Sequence, residues 1–157
     1  MSNEIKLDIG SGCAKREGYV TIDKDPKVDA SYCMDIENSE DQNILLYKKP
    51  VAEIRAFHIL EHLDPTKKVE MMKLFFDLLT PGGILHIEVP IAGTEQFWQD
   101  PTHISGWTAR TFWYFTKGNN FGEAFAKRNS DARLFEKIED ETRDCWAYRI
   151  MFKKPLV

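Results

Sequence analysis

The chain contains no apolar run of 18 residues, and so supplies no candidate for a membrane-spanning helix. No secretory signal pattern, internal repeat or low-complexity tract stands out. Cysteine is scarce: Cys13, Cys33 and Cys145 form no C-x-x-C pair, and an odd count without framework spacing points to reduced thiols in a cytoplasmic setting. Excess positive charge is also missing. With a formal net charge of −4, the chain generates no global basic field, which argues against strong non-specific binding of nucleic acid. What remains is ordinary for a water-soluble globular protein: 157 residues, 43% hydrophobic and 29% charged, enough for one domain over residues 1–157 with one substantial core.

The informative stretch comes early. Ile5, Leu7 and Ile9 alternate with polar residues and run into Gly10 and Gly12; a second short apolar stretch, Tyr19–Ile22, follows and ends on Asp23. This reads as strand, glycine turn, strand, acid. The glycines let backbone approach a ligand, and a carboxylate at the end of the next parallel strand is placed to accept hydrogen bonds from two ribose hydroxyls. A plain tight turn and a solvated strand end are the plainer alternatives. A dinucleotide fingerprint, G-x-G-x-x-G, fits poorly, because Lys15 stands where its third glycine belongs and Asp23 arrives too soon. Only about ten residues separate the two strands, too few for a full helix whose N-terminus could hold a pyrophosphate. An adenosine without phosphates suits the site better. S-adenosylmethionine is such a ligand, and its positive charges tolerate Asp8 beneath the loop.

Further on, Ala30–Met34 is a weak third strand ending at Asp35. Ser39 and Gln42 have capping-box spacing, so a short helix is expected over Glu40–Tyr47, stopped by Lys48-Lys49-Pro50. Val51–His58 reads as a fourth strand. Asp64-Pro65 opens the clearest helix, with Val69, Met72, Phe75, Phe76 and Leu79 at helical spacing, and Thr80-Pro81-Gly82-Gly83 breaks it. Ile84–Val89 is a fifth strand. A loop from Ala92 to Gly106, a short helix Ala109–Phe115 capped by Thr108, and an unassigned polar stretch Gly118–Ser130 follow. Phe135–Glu139 and Cys145–Phe152 read as two strands joined by an acidic turn, Asp140–Asp144. The fold class expected is α/β: a three-layer Rossmann-like sandwich, mostly parallel, with a C-terminal antiparallel hairpin.

Four stretches in register, LDIGSG (Leu7–Gly12), GYVTID (Gly18–Asp23), HILEHL (His58–Leu63) and LTPGGILHIEVP (Leu79–Pro90), together with DPTHISGWTARTF (Asp100–Phe112), resemble the class I SAM-dependent methyltransferases. The likeness is to the small methyltransferases of that class with a shortened first crossover, and covers roughly two-thirds of the chain. The resemblance implies methyl transfer from S-adenosylmethionine, yielding S-adenosylhomocysteine. It further implies that Asp8, Gly10, Ser11 and Gly12 form the loop on the methionine side of the cofactor. Asp23, with Lys24 beside it, would hold the ribose; Asp35 would receive the adenine amino group with Ile36 against the ring; His58 and Leu60 would line the far side. At Asp35 the D-L-P-F pattern usual in the family is replaced by Asp35-Ile36-Glu37-Asn38. An enzyme that methylates amino groups on DNA would carry N/D-P-P-Y/F after the fourth strand, where this chain has His58-Ile59-Leu60-Glu61. The methyl acceptor is left open between a small molecule, a sugar and a protein side chain, with a partner protein or a second copy able to complete the site. A SAM-binding subunit without catalysis is the alternative, and an NAD-dependent oxidoreductase a more distant one.

Three other features admit two readings. His103 can act as a general base near neutrality, or can order the loop through Asp100. His58, Glu61 and His62 spell H-x-x-E-H, but His58 ends a strand and Pro65 starts the helix, so no metal is expected. The aromatics Phe97, Trp98, Trp107, Phe112, Trp113, Tyr114 and Phe115 cover a site or pack a core, and Lys15-Arg16 borders the predicted cleft.

Overall fold

A computed structural model describes residues 4–14, 16–46 and 50–156. Lys15, and the expected helix end at Tyr47 with its Lys48-Lys49 stop, lie outside the described residues.

Seven strands form one mixed sheet in the order β3-β2-β1-β4-β5-β7-β6. β1 (Ile5–Ile9), β2 (Val20–Asp23), β3 (Tyr32–Cys33), β4 (Val51–Phe57) and β5 (Leu79–Pro90) run parallel; β7 (Ala147–Lys153) joins β5 antiparallel and carries β6 (Glu136–Arg143) as the outer strand. Strand order reverses between β1, which leads outward to β2 and β3, and β4, which leads the other way. In an open α/β sheet that reversal leaves a crevice at the strands' carboxyl ends, where ligands bind.

Cross-strand register divides the residues into two faces. Leu7, Ile9, Ile22, Ile54, Ala56, Leu85, Ile87, Val89, Tyr148, Ile150 and Phe152 share one side, and all are buried. The helices cover this side. α1 (Ser39–Leu46) contributes Leu45, and α2 (Lys68–Leu78) buries Met71, Met72, Leu74, Phe75 and Leu78. Asp64 caps the 3₁₀ turn Pro65–Lys67 that leads into α2, accepting from the Thr66 N–H at 2.8 Å. The short α3 (Glu95–Trp98) forms inside the expected Ala92–Gly106 loop, and Phe112 of α4 (Ala109–Trp113) stacks on Tyr148 at 5.8 Å.

The opposite side carries Lys6, Asp8, Thr21, Glu53, Arg55, Phe57, His86, Glu88 and Arg149. Its layer is made of loop and charged side chains. The connections 10–19 and 24–31 are both short, and their described residues contain no helix. Arg16 approaches Asp8 at 3.9 Å, Tyr19 hydrogen-bonds Glu53, and Arg55 bonds Asp8 at 2.8 Å.

Several boundaries differ from the sequence expectation. β3 is two residues long, and both are exposed. The Thr80-Pro81-Gly82-Gly83 tract does not end α2, which stops at Leu78 with Leu79 already extended, but lies within β5: Leu79 pairs with Val51 and Ile84 with Glu53, so the tract bulges while the chain stays on the sheet. The polar stretch holds α5 (Asn120–Ala126), capped by Asn119. Residues 140–143 belong to β6, and the hairpin turns at Asp144 and Cys145, both with positive φ (49° and 61°), closed by Trp146 N–H to Arg143 C=O at 3.1 Å. Two left-handed residues in a row match the twist of a hairpin; Asp-Cys does so without the usual glycine signal.

Candidate functional site

At the carboxyl ends of β1, β2 and β4 a cleft of about 600 Å³ opens, lined among others by Gly10, Gly12, Asp23, Asp35, Ile36 and His58. Its floor is set by β1. Gly10 N–H and Ser11 N–H both donate to Ile22 C=O (2.8 and 3.2 Å), turning the chain off the strand end. Gly10 has φ +67°, and a Cβ there would lie 2.7 Å from the Ile59 side chain; its bareness accommodates that neighbour. Gly12 has φ +54° and only open space where a Cβ would stand.

Asp23 reaches back to the glycine turn. Its Oδ2 accepts from Gly12 N–H at 2.9 Å and its Oδ1 from Asp25 N–H at 2.9 Å. Each oxygen retains a lone pair for a ligand hydroxyl. Lys24 lines the same wall. Across the cleft Asp35 accepts from Glu37 N–H through Oδ1 at 2.9 Å, its own N–H is held by Asp41, and the buried Ile36 supplies an apolar surface.

Three residues assigned to the cofactor from sequence stand off the cleft lining. Asp8 is buried under the loop against Arg55. Ser11 is buried, with its hydroxyl 3.4 Å from Gly12 C=O. Leu60 is fully buried in the core, and its carbonyl accepts from Trp107 Nε1 at 3.1 Å; Ile59 takes the lining position. The cause is His58, whose φ of +54° breaks the strand's alternation just beyond β4.

His58 sits between two carboxylates. Its Nε2 is 3.0 Å from Glu88 Oε1 and its Nδ1 is 3.3 Å from Glu61 Oε1, while the ring stacks on Trp146. The Glu61 carboxylate beside it leads the effects that raise its pKa above the ordinary histidine value; burial opposes it, and Glu88 adds to it. For Glu88, burial is the largest single effect and pushes the carboxyl up, but the Arg149 guanidinium, with Nε at 2.8 Å, and His58 together outweigh it, and the pKa lies below the usual carboxylate range. This cluster was not legible in the sequence, since it joins residues of β4, β5 and β7 with a 3₁₀ turn (Leu60–His62).

His103 is absent from the cleft lining but adjoins it. Its Nδ1 lies 2.8 Å from Phe97 C=O and its Nε2 3.6 Å from Asp100 Oδ2. Its ring meets His62 edge-on at 4.7 Å, and both His62 and Thr102 line the cleft. Of the seven aromatics, Phe97, Trp107, Phe112 and Phe115 are buried, whereas Trp98 and Tyr114 are exposed. Arg16 points to Asp8.

No protein-family model and no curated protein matches the chain in sequence. Solved structures do match. A SAM-dependent methyltransferase from Archaeoglobus fulgidus superposes with a TM-score of 0.61 at 18% identity, covering 98% of this chain and 87% of that one. The N-methyltransferase NodS from Bradyrhizobium japonicum, in complex with S-adenosylhomocysteine, gives 0.58 at 16% identity over 97% and 78%. The 1,6-didemethyltoxoflavin-N1-methyltransferase of Burkholderia thailandensis, with its substrate and S-adenosylhomocysteine bound, gives 0.58 at 12% identity over 96% and 71%. The chain therefore has the Rossmann-like fold of the class I SAM-dependent methyltransferases.

Proposed function

We propose that the chain binds S-adenosylmethionine in this cleft and transfers the sulfonium methyl to an acceptor, leaving S-adenosylhomocysteine. The observation that carries the reading is the convergence of Gly12, Asp23, Asp35, Ile36 and His58 on one cavity at the point where strand order reverses. About 600 Å³ suits a nucleoside with an amino-acid arm. In this reading Asp23 receives the ribose hydroxyls, Ile36 lies against the adenine with Asp35 at its amino group, and the methionine arm runs over Gly10–Gly12 toward His58. Asp8, Ser11 and Leu60 act from beneath the lining, by shaping the loop and the wall. Lys24 flanks the ribose.

Methyl transfer is an in-line displacement: the acceptor's lone pair forms the new bond to carbon as the carbon–sulfur bond breaks onto sulfur. The protein's part is to align the two and keep water out. The acceptor would enter past His62 and Thr102, where His103 is close by; a small molecule, a sugar and a protein side chain all remain in its range.

Calorimetry tests the cofactor. Asp23→Ala should weaken S-adenosylmethionine binding by roughly 2–3 kcal/mol, about 30- to 150-fold, through loss of two charge-assisted hydrogen bonds. An unchanged dissociation constant contradicts the assigned ribose contact. Binding of NADH with S-adenosylmethionine inert overturns the cofactor itself, and tight binding without methyl transfer across a broad acceptor screen leaves a non-catalytic SAM-binding subunit.

A further inference from the structure

The feature this reading leaves unused is Glu61. Its side chain is 1% exposed, yet neither carboxylate oxygen has a hydrogen-bond partner among the described residues. The His58 contact at 3.3 Å lies off the hydrogen-bonding direction and serves only one of the two oxygens. A buried carboxylate persists when something cationic neutralises it. Beside it stand His62 and His103, and one ligand-capable atom from each of the three lies within 4.8 Å of the others.

The histidines are set up for a cation. A carbonyl oxygen only accepts, so the contact of His103 Nδ1 with Phe97 C=O (2.8 Å) puts the proton on Nδ1 and leaves Nε2 with its lone pair. His62 repeats the pattern: the Thr102 hydroxyl donates its own proton to Asp100 Oδ1 at 2.7 Å, so His62 Nδ1, 3.0 Å from Thr102 Oγ1 and 3.3 Å from Thr102 C=O, is the donor to both. Metal-ligating histidines are oriented this way, by an outer hydrogen bond from the other ring nitrogen. The loop is fastened in place too: Ile104 N–H and Ser105 N–H both donate to Glu61 C=O at 2.9 Å, which holds His103 beside the turn carrying Glu61 and His62.

We propose that Glu61, His62 and His103 form a binding site for a divalent cation of the zinc class, at the acceptor side of the cleft. Two imidazole nitrogens and one carboxylate oxygen are ligands such an ion accepts. Tetrahedral ligands at about 2.1 Å from zinc stand roughly 3.4 Å apart, so side chains now within 4.8 Å close on the ion by small rotations. Three protein ligands leave a fourth position, and His62 borders the cleft toward which it can open. An ion there can polarise an acceptor hydroxyl; only that role rests on the methyl-transfer reading, whereas the binding site stands without it.

The test is a Co²⁺ titration of the purified, chelator-treated full chain. The expected result is one equivalent bound, with the visible d–d absorption of a tetrahedral N/O site and no thiolate charge-transfer band from the exposed Cys13, Cys33 and Cys145. Zn²⁺ should displace it. His62→Gln and His103→Gln should each lower the affinity at least about tenfold while far-UV circular dichroism stays unchanged. Glu61→Gln should do the same; if that buried variant fails to fold, the two histidine variants carry the test. Failure to bind Co²⁺ stoichiometrically, bands that survive both histidine variants, or a thiolate charge-transfer band overturns the site. S-adenosylmethionine affinity measured on the same chelated sample is expected to persist, so the cofactor and cation readings fail separately.

Discussion

Gly10 is held at its place by shape. A methyl group there would meet Ile59 Cβ, Cγ1 and Cδ1 at 2.7–2.8 Å, on a backbone with φ +67°. Gly10→Ala should therefore cost roughly 2–3 kcal/mol, part from the left-handed conformation and part from overlap. Ile59→Ala removes Cγ1 and Cδ1, two of the three atoms in the way, and leaves Cβ, so the double variant should lose somewhat less than the two single losses added together; urea denaturation measures all three. Additive losses would mean that the two residues do not meet. Gly10, Gly12 and Asp23 could be read from the chain because a glycine turn between two apolar stretches is local, and the acid follows at once. Glu61 with His62 and His103 could not, because their meeting depends on the path of the Ala92–Gly106 loop. The exchange of Leu60 for Ile59 in the lining follows from one backbone angle, at His58, which no residue pattern announces.

Among the elements, α2 is the most firmly rooted. Phe75 is fully buried at its centre, and Phe75→Ala should destabilise the fold by about 3–5 kcal/mol, read as a lower midpoint in chemical denaturation. That helix was legible because its apolar spacing and Asp64-Pro65 start agree. α5 was not. Its stretch is polar on paper, and tertiary neighbours decide it: Asn119 caps it, and Gly122 lets its backbone pass Thr116 and Trp113 so closely that a Cβ would stand 2.5 Å from Thr116 O. The C-terminal hairpin shows the same division. Alternation of Tyr148, Ile150 and Phe152 revealed β7, whereas the acidic stretch Asp140–Asp144 resembled a turn only because β6 is solvent-facing and needs no apolar residues.

For the molecule as a whole, the two sides of the sheet obey different chemistry: hydrocarbon under helices on one, ion pairs under loops on the other. His86 belongs to the second side, facing Glu53, Arg149, Glu139 and Lys6. Burial, the largest effect, lowers its pKa below 6.5, and Glu53 pulls the other way. A histidine whose folded pKa is lowered favours the neutral form. Its contribution is complete above its unfolded value and is lost as pH falls through the folded one. Wild type should therefore lose thermal stability relative to His86→Gln as pH drops below about 6.5, and the two melting curves should run parallel above it. A constant gap between them across that range would show that the imidazole titrates alike folded and unfolded.

The two rims of the sheet are as unlike as its faces. One ends in β3, a strand of only two residues; the other is β6, whose sequence EKIEDETR is charged almost throughout. A neighbouring polypeptide that tried to extend the ladder would find too few backbone groups at the first rim and a palisade of charged, mostly acidic side chains at the second. Growth by strand addition, the usual road from open sheets to fibrils, is thus closed at both ends.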